Sequence, residues 1–176
     1  MDIKERTIKE LLYALDECFD GEGRDGGIFL EPDDPGLFFI LDALSAEEAS
    51  RPIAGMSTAN HVYHLIFALD VFVKRIIGNE NALNVDWRES WRECPLNEAE
   101  WAGMKKELTC LREKAVSAAR DYNDSEDGYD KHLRLVMGLL THTVFHLGTL
   151  RVKFDVTSPL SRPSSSSPTG RLAARE

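Results

Sequence analysis

Between Asp2 and Phe19 the apolar residues Ile3, Ile8, Leu11, Leu12, Leu15 and Phe19 recur at three- and four-residue steps, the spacing of one helix face. Gly21, Gly23, Gly26 and Gly27 end that pattern, and an acidic loop with Pro32 and Pro35 follows. Leu37 to Leu44 reads as a short apolar helix. Ser45-Ala46-Glu47-Glu48 is a capping box that opens a further turn, closed by Arg51-Pro52. Ser57 or Thr58 then caps a long helix to about Ile77, stopped by Gly78-Asn79. Asp86 to Pro95 is an irregular, tryptophan-bearing loop. Asn97, with Glu100 three residues on, starts a highly charged helix to about Tyr122, and Asn123 to Gly128 forms a polar linker. The last helix, about Tyr129 to Phe154, is the most apolar, with Leu133, Leu135, Val136, Leu139, Leu140, Val144, Leu147 and Leu150.

No alternating strand pattern with hairpin turns interrupts this order. The expected fold is all-α: an antiparallel, up-down four-helix bundle over residues 1–157 with a short extra helix. Ser158 to Glu176 carries four consecutive serines and three prolines, has too little apolar surface to offset its ordering entropy, and is expected to be a disordered tail.

Composition narrows the function. The 176 residues hold 30 acidic against 21 basic side chains, a net charge of -9 that repels phosphate backbones and anionic membranes, so neither nucleic acid nor membrane is an expected partner. No stretch reads as a bilayer-spanning run, the first residues are charged, and Cys18, Cys94 and Cys110 form no C-x-x-C. The expectation is a cytoplasmic protein with reduced thiols.

The chemistry lies in the histidines. Four of the five fall in two pairs, His61 with His64 and His142 with His146. Residues four apart on a helix are separated by about 40° around its axis, so His142 and His146 share a face and can ligate one ion. They lie on the flank of the apolar stripe, where an imidazole without a partner loses water contacts that a core does not replace. Such a pair also arises by chance in roughly one such sequence in ten, so histidines satisfied by backbone carbonyls, Thr141 or Thr143 remain the competing reading. A zinc-protease reading is poorer, because Thr143, Val144 and Phe145 stand where that motif needs a glutamate. A catalytic ion with three protein ligands would take the third from a facing helix. Both His61 and His64 qualify, and the helical wheel mildly prefers His61, nearer the centre of the stripe.

Met56-Ser57-Thr58-Ala59-Asn60-His61-Val62-Tyr63-His64-Leu65, followed by His142-Thr143-Val144-Phe145-His146-Leu147-Gly148, resembles the DinB superfamily of metal-binding four-helix bundles. Leu41 to Ala49 and the Asp86-Trp87-Arg88-Glu89-Ser90-Trp91 segment, with Trp101 beyond it, agree with that resemblance, which covers about Met1 to Phe154. It implies His64, His142 and His146 as metal ligands, with His61 and His132 outside the site; His132, next to Lys131 and Arg134, is expected to be exposed. Met56 stands where the family usually has tryptophan, and the glycine-rich loop after the first helix is unusually long. Trp87, Trp91 and Trp101 are candidates for an aromatic lid.

Three neutral imidazoles leave a divalent ion its full charge, so zinc is the first choice and nickel, iron or manganese also suit the ligand set. The resemblance implies thiol S-transferases that use low-molecular-weight thiols such as bacillithiol, a mycothiol-dependent isomerase, or hydrolases. The expected function is a metal-dependent enzyme that activates a thiol or water nucleophile toward a small-molecule substrate. The alternative is a non-catalytic metal- or ligand-binding bundle, an accessory or homodimerising module. No general base is identified; Asp70 is expected to face solvent or pair with Lys74.

Overall fold

The computed structural model of the chain describes residues 1–22, 27–31, 34–91, 96–121 and 125–157. They form α1 (Ile3–Asp20), α2 (Leu37–Asp42), α3 (Ala46–Ser50), α4 (Thr58–Ile76), α5 (Glu98–Arg120) and α6 (Glu126–Thr157), with a single 3-10 turn at Trp87–Trp91. Among the described residues there is no β-strand. The expected tail from Ser158 onward, together with Pro32, Cys94, Pro95 and Tyr122, lies outside the described residues.

Every helix start but that of α2, which follows Gly36 without a side-chain cap, has a local side-chain cause. Asp2 accepts from the Lys4 amide at the head of α1. Ser45 with Glu48, Ser57 with Asn60, and Asn97 with Glu100 form reciprocal capping boxes on α3, α4 and α5. The last helix begins earlier than its apolar pattern indicates, at Glu126, and runs through Gly128. The Ser125 hydroxyl accepts from the Gly128 amide at 3.3 Å, and the Ser125 carbonyl from Tyr129 at 2.9 Å. That cap outweighs one glycine in the first turn.

The long helices α1 and α4 each pack against α5 and α6 around a core that includes Leu15, Phe19, Leu65, Leu69, Leu108, Leu139 and Leu147. The short α2 sits against α1 and α6. A Cβ at Gly36 would lie 2.3 Å from the Gly21 amide nitrogen and 2.7 Å from the Phe19 carbonyl, so only glycine lets the chain pass the end of α1 there. The buried Glu17 carboxylate holds the same loop, accepting from Ile28 (2.8 Å), Phe29 (3.1 Å) and Leu30 (2.7 Å).

A tight turn precedes α4. The Ile53 amide donates to the Met56 carbonyl at 3.1 Å, with Ala54 at φ 52° and Gly55 at φ 92°. Lys153 of α6, buried, donates through Nζ to both the Ile53 and the Met56 carbonyl, the latter at 2.6 Å. One ammonium thus ties the start of α4 to the far end of α6.

Helix α6, from Asp127 to Thr157, is long and apolar enough to cross a membrane by length and composition, unlike the expectation above. Its histidines, threonines and glycines interrupt the apolar pattern without adding charge, and no acidic or basic residue falls between Arg134 and Arg151. One face is core; the opposite one leaves Met137, Phe145, Val152 and Val156 exposed.

Candidate metal centre

Helices α4 and α6 are neighbours, and each turns two histidines into their contact. Gly138 contributes to the closeness, since a Cβ there would meet the Phe72 ring at 3.1 Å, one turn of α6 before His142. His61, His64 and His146 are buried, and His142 is half-buried. One ring nitrogen from each of His64, His142 and His146 lies within 4.8 Å of the others. The ring centroids of His64 stand 5.1 Å from those of His142 and 4.9 Å from those of His146, while His142 and His146 are 4.7 Å apart.

The rest of each ring is held differently. His64 Nδ1 is 2.7 Å from Ser90 Oγ, and the buried Ser90 hydroxyl donates to the Trp87 carbonyl at 2.6 Å. Trp91 lies flat on His64, with centroids 3.9 Å apart and planes 15° apart, and Trp87 is 6.2 Å away. His142 Nε2 is buried and has no hydrogen-bond partner. A buried, neutral imidazole nitrogen with no hydrogen-bond partner, set among other imidazoles, is a donor that suits zinc-like ions.

His61 lies outside the group of three ring nitrogens but touches its rim. Its Nδ1 is 3.3 Å from His146 Nδ1, the two rings tilted by 55°, and it packs edge-on against Trp91 at 5.3 Å. Residues three apart share a helix face, so a wheel that buries His64 also buries His61. His132 is a correction: it is buried, not exposed, with Nε2 2.8 Å from the Ala119 carbonyl. Of the three tryptophans only Trp87 and Trp91 cover the histidines. Trp101 is buried elsewhere, donating its indole N–H to the Leu44 carbonyl at 2.9 Å. Asp70 is paired with Lys74 at 2.5 Å on the surface, as expected.

Electrostatics favour neutral rings. Burial, with Lys153 adding repulsion, brings the His61 pKa down to about 4. Burial and then the neighbouring imidazoles bring His64 to about 4 and His146 to about 3, and burial lowers His142. All four therefore keep lone pairs at neutral pH, the state an ion requires. Ser90 and Lys153 are neighbours of the cluster that sequence reasoning does not reach, since the one contacts His64 across 26 residues and the other affects His61 from a different helix.

Compared with models of protein families, with curated proteins and with solved structures, the chain matches none.

Proposed function

We propose that His64, His142 and His146 hold a divalent ion, zinc in the first instance, and that the protein is a metal-dependent enzyme whose substrate meets a thiol or water nucleophile at that centre. The observation that carries this reading is the convergence of three imidazoles on which His142 Nε2 stands buried and unpartnered. His64 and His142 would bind through Nε2, and His146 with the support of His61 at its other edge. When bound, the ion supplies the Lewis acidity that makes a water or a thiol nucleophilic near neutral pH. The chain's own contribution is to keep the imidazoles neutral by burial, to fix their planes with Trp91, and to restrict water with Trp87 and Trp91. The resemblance to the DinB superfamily supports an antiparallel four-helix bundle and a thiol S-transferase type of reaction, with hydrolysis as the neighbouring chemistry.

A second reading, a non-catalytic metal- or ligand-binding module, is favoured by the flat stacking of Trp91 on His64, since a fully covered centre has no open position for a substrate. Exchange of a coordinated water, measured by relaxation of solvent protons around a paramagnetic substitute, separates the two.

Metal analysis of the purified chain and its variants tests the ligand set. One equivalent of ion is expected in the wild type, with sharp loss in His64→Ala, His142→Ala and His146→Ala and a smaller effect in His61→Ala. Full metal content in both His142→Ala and His146→Ala would sink the reading. Loss in His61→Ala with retention in His64→Ala would replace the third ligand.

A further inference from the structure

We propose that Ser90 is a positioning residue that selects the His64 tautomer able to bind an ion, an inference that rests on the three-histidine reading. Ser90 has one hydroxyl proton, and its Oγ lies 2.6 Å from the Trp87 carbonyl oxygen. Two oxygens that close repel unless a proton lies between them, so the hydroxyl proton is committed to Trp87. At the 2.7 Å contact with His64, Oγ can then only accept, and the proton there belongs to Nδ1. A neutral imidazole carries a single N–H, so Nε2 of His64 keeps its lone pair toward His142 and His146.

Burial strengthens this choice. Ser90 is fully buried, so no water competes for its hydroxyl, and breaking the relay would strand both Nδ1 and Oγ. The same 3-10 turn that carries Ser90 carries Trp91, whose face lies on His64 at 3.9 Å. One five-residue turn therefore fixes the ligand by edge and by face: the hydrogen bond sets the proton, and the stack sets the ring plane. An imidazole without such a partner samples both tautomers, so many of its encounters with an ion meet an N–H at Nε2.

Nitrogen NMR of the metal-free, histidine-labelled chain above pH 7 reads the tautomer of each ring. His64 is expected as Nδ1–H in the wild type and in Ser90→Thr, which keeps the hydroxyl, and as a mixture in Ser90→Ala. Zinc affinity by chelator competition should fall on the order of 10- to 100-fold in Ser90→Ala and stay near wild type in Ser90→Thr. His64 found as Nε2–H in the wild type would overturn the proposal. So would a folded Ser90→Ala that retains both tautomer and affinity. If Ser90→Ala does not fold, the wild-type and Ser90→Thr spectra decide. A wild type that binds no zinc yet shows Nδ1–H would overturn the metal reading while upholding the hydrogen-bond relay, so the two failures are distinct.

Discussion

Burial is the first cause of the lowered pKa at His61, His64, His142 and His146, and this gives the metal-free protein a definite acid response. In the unfolded chain these imidazoles titrate near their ordinary value of about 6.5. Between there and about 4 the unfolded state binds more protons than the folded one, so stability must fall as pH is lowered through that window and be fully present above it. Denaturation of the apoprotein at pH 7.5, 5.5 and 4.5 should show a progressive loss that begins near 6.5; a flat profile would show the rings to be more solvated than their burial indicates. Glu80 and Asp86, whose hydrogen bonds lower their pKa, begin to act only as the pH reaches the ordinary carboxylate range, so a loss that sets in near 6.5 is not theirs. The fifth histidine shows where residue-level reading stops. His132 stands between Lys131 and Arg134 in sequence, which suggests exposure, but adjacent residues on a helix point apart. It lies four residues before Val136 and seven before Leu139, both buried, and so belongs to the core face.

At the scale of elements, the link between α4 and α6 depends on more than the histidines. Lys153 holds two carbonyls of the 53–56 turn while Ala54 occupies the left-handed region, an arrangement a non-glycine residue keeps only when its surroundings enforce it. Lys153→Met should keep the stem packing, lose both hydrogen bonds and cost about 1–3 kcal/mol in denaturant unfolding. Weaker metal binding should accompany it, because α4 carries His64 only seven residues beyond the turn's cap. An unchanged stability would show that water replaces the ammonium there. The helices themselves were legible because capping is local: Ser45 with Glu48 and Asn97 with Glu100 announce starts that the structure contains. The pairing of His142 with His146 was legible for the same reason, as a spacing within one helix. Ser90 was not, because its contact to His64 bridges 26 residues and depends on how a loop folds back over α4. Lys153 was not either, since a lysine within an apolar helix reads as a surface residue until the carbonyls it satisfies are in view.

For the whole molecule, the described fold ends with α6 at Thr157, and the serine- and proline-rich residues 158–176 offer little apolar surface. Deleting Ser158 to Glu176 should leave the thermal midpoint within about a degree, as expected for residues that bury little; a drop of several degrees would mean that they dock on the bundle. An ion shared by α4 and α6 should act on the entire fold, because a ligand that binds only the folded state raises its stability by mass action. The Trp91 indole stacked on His64 has an optical consequence. An indole 3.9 Å from the His64 ring reports its neighbour through its emission, and copper(II) or cobalt(II) at the histidines should quench it more than Trp101, which makes no ring contact with them and donates to the Leu44 carbonyl. Partial quenching that saturates at one equivalent, and diminishes in Trp91→Phe to the share carried by Trp87 at 6.2 Å from His64, would give this chain a built-in optical readout of the state of its own centre.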